Sequence, residues 1–182
     1  MLWIPIIIVL FIAFYGVGVY NKLVRKRTMV EEGWSGIDVQ LKKRHNLIPN
    51  LVETVKGYAT HEQETLQQVI SARNAAQKAA AHMASDAAEK QLTTAMANIF
   101  ALGEAYPDLK ANTNFVNLQN QLTGIEEDVE KARRYYNATA RENNIMVESF
   151  PSNLIAGMGD FELAEYFELE DAGERKLPEV KF

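Results

Sequence analysis

The sequence holds no cysteine, which excludes disulfides, thiolate metal sites and a cysteine nucleophile. It also lacks the Glu-x-x-His pairs that a di-iron helical bundle needs, because Lys42, Tyr58 and Ala79 stand three residues before the three histidines. His61-Glu62 is no zincin motif, since Thr65 occupies the place of the second histidine. There is no glycine-rich phosphate loop and no G-x-S-x-G elbow. No basic stripe runs along any segment, so nucleic acid is not expected as a partner. Adjacent carboxylates such as Glu31/Glu32 and Glu126/Glu127 point in different directions on a helix and read as solvated faces. The expectation is therefore no catalytic, cofactor-binding or metal-binding residue, and no enzyme.

What the chain does have begins at its start. Residues 2–20 carry no charge. As a helix they run about 29 Å at ~1.5 Å per residue, near the hydrocarbon thickness of a bilayer. A helix satisfies every backbone N–H and C=O internally, as lipid requires. Trp3 and Tyr20 lie at the two ends, where amphipathic rings favour the membrane interface, and Pro5 falls in the first turn, where its missing N–H costs little. Lys22, Arg25, Lys26 and Arg27 follow the run and nothing basic precedes it, which argues against a signal peptide, although Gly16-Val17-Gly18 loosely resembles a cleavage site. The positive-inside rule then places the N-terminus outside and the following domain in the cytoplasm. The basic cluster is either a plain stop-transfer flank or a contact for anionic headgroups.

The rest of the chain is long enough for one domain with a real core. The net charge of −5 is uneven: from Asp160 onward there are eight acidic residues against three basic ones. Three regions follow: an anchor over residues 1–21, a helical bundle over 22–159 and an acidic, aromatic-containing tail over 160–182. The fold class is all-α, a transmembrane helix followed by a bundle of about four helices.

Hydrophobic spacing supplies the helices. Val30, Trp34, Ile37, Leu41, Ile48, Leu51, Val52 and Val55 make one apolar stripe over residues 28–58, continuous with the anchor or separate from it. Lys42, Lys43 and Arg44 fall on or near its opposite face, and Gly33 and Gly36 weaken the start. Pro49 predicts a kink and frees the carbonyl of His45, with Asn46 and Asn50 flanking it either as structural repair or as a contact site. Thr60 to Gln63 looks like a capping box for a second helix carrying Leu66, Val69, Ile70, Arg73, Ala76 and Ala80, alanine-rich in its later half. The stretch from His82 to Asp86 is ambiguous: Asp86 with Glu89 caps a third helix, or the second runs on with a local break. The third pattern uses Leu92, Met96, Ile99, Phe100 and Leu102 and stops before Pro107. Asn112 or Thr113 caps the next helix, where Phe115, Leu118, Leu122, Ile125, Val129, Ala132 and Tyr136 repeat at heptad spacing. That stripe packs within the chain or forms a seam between subunits. Asn137, Asn143 and Asn144 weaken the helix, and Pro151 bounds it. A short helical piece over residues 153–156 is followed by Gly157 and Gly159. The tail interleaves Phe161, Tyr166, Phe167 and Phe182 with Glu162, Glu165, Glu168, Glu170 and Asp171; it docks its rings on the bundle or stays partly disordered.

Several runs carry a resemblance. Arg44-His45-Asn46-Leu47-Ile48-Pro49-Asn50-Leu51-Val52, then Val55-Lys56-Gly57-Tyr58-Ala59 and His61-Glu62, resemble the signature of the bacterial LemA family. Ala72-Arg73, the run from Glu104 through Tyr106-Pro107 to Asn112, Leu118-Gln119, Leu122, Glu126, Arg133-Arg134-Tyr135-Tyr136-Asn137 and Phe150-Pro151 continue it in order. The resemblance implies a single-pass protein of the bacterial inner membrane with an elongated, antiparallel helical domain in the cytoplasm and no established activity. A relative in magnetosome membrane formation suggests membrane organisation by analogy. Two functions are then in view. One is a non-enzymatic scaffold that sits in the lipid bilayer as a homo-oligomer and organises membrane or partner proteins. The other is an adaptor or sensor for a membrane protease or signalling partner. Its candidate contacts are Asn46, Pro49 and Asn50 at the kink, Arg73, Tyr106 and Pro107 in the signature, and Tyr166 and Phe167 in the tail.

Overall fold

The computed structural model of the chain describes residues 3–79 and 86–167. Among them the chain is all-helical: α1 (Trp3–Lys56), α2 (Gln63–Ala79), α3 (Asp86–Ala105), α4 (Pro107–Lys110), α5 (Thr113–Glu148) and α6 (Ser152–Met158). Four helices are long and two are short, and the apolar N-terminal run and the first amphipathic stripe form one helix, α1. The chain divides into two compact units: a middle unit, Ser35–Lys131, and a terminal unit, Met1–Trp34 with Ala132–Phe182. The expectations for Ala80, Ala81, the His82–Ser85 stretch and the side chain of Asp86, and for the tail beyond Phe167, lie outside the described residues.

The middle unit is built on the stripes read from spacing. Ile48, Leu51, Val52 and Val55 of α1 are buried with Leu66, Val69 and Ala76 of α2, Leu92, Met96 and Ile99 of α3, Leu109 of α4, and Phe115 and Leu122 of α5. Each such aliphatic side chain contributes on the order of 1.5–3 kcal/mol when removed from water. Cross-helix contacts set the directions. Arg73 of α2 meets His45, while α2 starts just after the end of α1, so the two run antiparallel. Glu89 of α3 reaches His45 and Tyr106 reaches Glu62, so α3 runs with α1. Asn112 meets Tyr58 and Glu126 meets Arg44, so α5 returns against it.

The helix boundaries follow local chemistry, with one correction. Tyr106 is extended (φ −121°, ψ 94°), as a residue before proline must be, and separates α3 from α4. Asn112 caps α5, its Oδ1 accepting from the N–H of Phe115 at 3.0 Å. The capping box at Thr60 is displaced: α2 begins at Gln63, and Glu62 holds the cap position, its carbonyl accepting from Leu66 N–H. The Glu89 carboxylate is turned inward to Arg44 and His45.

In the terminal unit α1 and α5 again run antiparallel. Gly33 lies opposite Tyr136 and Thr139, Lys26 pairs with Glu142, and Leu23 packs with Met146 and Val147. Gly33 is not merely a weak helix residue. A Cβ there would lie 3.2 Å from both the Tyr136 Cα and the Thr139 Oγ1, so its absence is what lets the helices approach so closely. Phe115, Leu122, Val129 and Tyr136 of the heptad stripe are buried within the chain itself. Beyond α5, α6 turns Ala156 inward against Val19 and Leu23, and residues 161–167 lie extended along the unit.

Candidate interaction surfaces

The most buried polar group is in the middle unit. Arg44, expected on or near the face opposite the stripe, is instead 2% exposed; it stands three residues after Leu41 and four before Ile48, so helical spacing carries it inward with them. Its Nη1 donates to Glu89 Oε2 at 2.9 Å, and its Nη2 donates to Thr93 and pairs with Glu126 Oε1 at 2.6 Å. His45 Nε2 bonds the other Glu89 oxygen at 2.8 Å. Burying these charges is costly, and the arrangement survives because each Glu89 oxygen has a partner and two carboxylates face the guanidinium. Arg44, His45 and Glu89 are buried while the Glu126 side chain is 37% exposed, and the cluster fastens α1 to α3 and α5.

Pro49 explains a neighbouring contact. Its ring has no N–H for the carbonyl of His45, and α1 nevertheless continues past it. Arg73 Nε donates to that carbonyl at 2.9 Å from across the helix pair. The repair expected of Asn46 and Asn50 is thus made by Arg73, and both asparagines are exposed. Tyr106 donates its hydroxyl to Glu62 Oε1 at 3.0 Å. That bond, with burial and the carboxylate's charge, raises the phenol above its ordinary pKa. Pro107 opens α4. The structure therefore brings Arg73 to the Pro49 region and places Tyr106 and Pro107 at a helix junction.

The terminal unit carries a different arrangement, which sequence reading missed. Asn144 holds the main chain of Ala164 at both ends: its Nδ2 donates to Ala164 O at 2.9 Å and its Oδ1 accepts from Ala164 N–H at 2.8 Å. Asn137 does the same to Phe167, at 3.1 and 2.9 Å. Asn143 donates to Glu162 O at 3.2 Å, and the Tyr136 hydroxyl to Glu165 O at 2.9 Å. Geometry makes the register work. Seven helical residues from 137 to 144 rise about 10.5 Å, and three extended residues from 164 to 167 span about 10 Å. The asparagines weaken a helix locally because their amides compete for backbone partners; here that capacity is spent on another stretch of chain. Their seven-residue spacing was the available signal.

Two rings pin the ends of this strap. Phe167 stacks on Trp34 (centroids 5.3 Å, planes 12° apart), meets the edge of Tyr136 at 5.4 Å, and has the Arg133 guanidinium 5.4 Å from its centroid. Phe161 packs edge-on to Tyr20 at 5.4 Å with the Arg27 guanidinium 5.3 Å away. Burial, then the charge of Glu165, raises the Tyr136 phenol above its ordinary pKa. Tyr166 is half exposed. Of the two alternatives for the tail, docking holds for residues 161–167.

Among the described residues α1 is the helix long and apolar enough to cross a membrane by length and composition. Trp3 is exposed, and Tyr20 is partly covered by Phe161. Lys22 and Arg25 are exposed, whereas Lys26 is engaged by Glu142 and Arg27 by Glu31 and Phe161. The Lys26 hydrogen bond and charge hold the Glu142 carboxyl below its usual pKa. No group of three or more metal-ligating side chains is assembled among the described residues.

Helices are fastened to helices by a buried ionic cluster, and a strap is fastened by amides; the class is an all-α protein with one candidate membrane span among the described residues. Its family is also clear. The LemA family model matches residues 33–182, and the chain belongs to that family. It is 23% identical over 184 residues to magnetosome protein MamQ 2 of Paramagnetospirillum magneticum, covering 87% of this chain and 68% of the relative. It is 25% identical to protein LemA of Metamycoplasma hominis over 144 residues, 79% of this chain and 66% of the relative. A MamQ of Magnetospirillum gryphiswaldense is 21% identical over 87% of this chain and 68% of its own length.

Proposed function

We propose that this chain is a non-enzymatic scaffold, anchored in the bacterial inner membrane by residues 1–21 with its N-terminus outside, that self-associates in the bilayer and organises membrane or partner proteins from the cytoplasmic side. The observation that carries the reading is the uninterrupted course of α1 from an uncharged, exposed apolar run into amphipathic turns with a buried face. Confinement to a surface raises the effective concentration of such helices, so weak contacts suffice for assembly. Relatives named as magnetosome proteins support an organiser over a catalyst. Crosslinking in native membranes tests it: the scaffold gives ladders across the expression range, and a strictly monomeric chain overturns it.

A second reading, a membrane-tethered adaptor or sensor for a protease or signalling protein, draws support from the asparagine ladder, which grips main chain and is therefore tolerant of the sequence it holds. Deleting residues 161–182 separates the two. A scaffold still assembles, whereas an adaptor that presents its tail loses its partner.

A further inference from the structure

Residues 149–159 contain no charged side chain, and Glu148 and Asp160 bracket them. Within this stretch α6 turns one face to α1. Ala156 is buried with Val19 and Leu23, a Cβ on Gly16 would meet Ile155 Cδ1 at 4.0 Å, and a Cβ on Gly159 would meet the Tyr20 ring at 3.2 Å. α6 therefore lies level with Gly16 to Leu23, alongside the last turns of the apolar run rather than beyond its end. Its other face carries Leu154, 60% exposed, and Met158, 87% exposed, one helical turn apart; Phe150, 80% exposed, stands in the preceding turn. Asn153 N–H and the Ser152 hydroxyl both donate to Ser149 O, at 2.8 and 2.9 Å, while Ser149 and Asn153 are themselves exposed.

We propose that Phe150 and α6 form a second membrane contact, a foot inserted into the same leaflet through which α1 leaves the bilayer. This rests on reading α1 as the anchor. A hydrocarbon layer of about 30 Å takes up about 20 helical residues, so the span over residues 1–21 ends near Tyr20, with Gly16 to Tyr20 in its last turns. At that depth Phe150, Leu154 and Met158 meet lipid, while Glu148 and Asp160 remain at the headgroups. An apolar face lying about 5–10 Å below the headgroup boundary is the ordinary depth for an interfacial helix. The occupant is lipid because the exposed face continues the lipid-facing surface of α1, and an apolar patch so placed is unfavourable in water.

The absence of cysteine makes the test direct. Single-cysteine variants Phe150→Cys, Leu154→Cys and Met158→Cys of the full chain are labelled with a nitroxide in phosphatidylcholine–phosphatidylglycerol vesicles. Phe14→Cys serves as the anchor control and Lys131→Cys as the water control. All five side chains are exposed, so the labels leave the core intact. Lipid contact is expected to make the foot labels resemble Phe14→Cys, accessible to oxygen and shielded from a water-soluble nickel chelate. Foot labels as open to nickel as Lys131→Cys, with Phe14→Cys still shielded, overturn the foot and leave the anchor standing. Shielding from both reagents with spin–spin broadening places a second copy on the face and also overturns it. Nickel access at Phe14→Cys removes the anchor and the foot together.

Discussion

The two units solve the same packing problem with different materials. In the middle unit, aliphatic stripes close over an ionic cluster whose members belong to three helices. In the terminal unit the aliphatic cluster is small, and amides on one helix grip the backbone of an extended strap while aromatic rings anchor its ends. The difference teaches what each unit tolerates. A charge network is all or nothing, because losing one member strands another in a dry interior. An amide ladder loses one rung at a time.

The largest expected effect follows from that asymmetry. Glu89→Ala leaves Arg44 buried without its principal partner and is expected to cost about 3–5 kcal/mol. Urea unfolding of the detergent-solubilised chain measures it. A loss under about 1 kcal/mol, the range of exposed pairs, would show that the buried ionic cluster does not hold the middle unit together.

Next comes a pair of glycines in neighbouring turns of α1. Gly33→Ala drives a methyl against the main chain of α5 and is expected to destabilise by about 1–3 kcal/mol. Gly36→Ala meets nothing within 4 Å and is expected to stabilise by about 0.5–1 kcal/mol through helix propensity. Thermal melts that move the same way for both substitutions would contradict the close approach at Gly33.

The ladder is expected to yield in steps. Asn137→Ala and Asn144→Ala each remove two hydrogen bonds to the strap, for about 1–3 kcal/mol apiece. Hydrogen exchange reads this locally: the amide of Phe167 should lose protection in the first variant and that of Ala164 in the second, with the amides of α3 unchanged. Simultaneous loss throughout both units would mean that the contrast drawn between them is false.

The smallest effect concerns pH. Pairing with Lys26 lowers the Glu142 pKa, so its contribution is present above the ordinary carboxylate value of about 4.3 and is lost as pH falls through the lowered one. Lys26→Met should flatten the acid limb of stability in that window; an unchanged limb removes the contact from the account.

Much of the helical plan was legible in the sequence. Local chemistry marks the breaks at Tyr106-Pro107 and the cap at Asn112, and spacing marks Ile48 to Val55 and Phe115 to Tyr136 as inward-facing. Arg44 was misplaced because charge argues for solvent unless a partner is known, and Glu89 is 45 residues away. The asparagines looked like flaws in a helix for the same reason: their partners lie 19 to 30 residues downstream.

By itself, then, the order of residues determined where the helices run, which stripes turn inward, and that one uncharged stretch has the length and greasiness of a span, because periodicity and propensity act over a few neighbouring residues. Only the tertiary structure decided that Arg44 meets Glu89 and Glu126 inside, that Arg73 serves the carbonyl Pro49 leaves open, that Gly33 admits α5, and that the tail is held by its backbone. Each of those depends on a polar or steric match between distant segments, which exists only once the chain has brought them within a few ångströms.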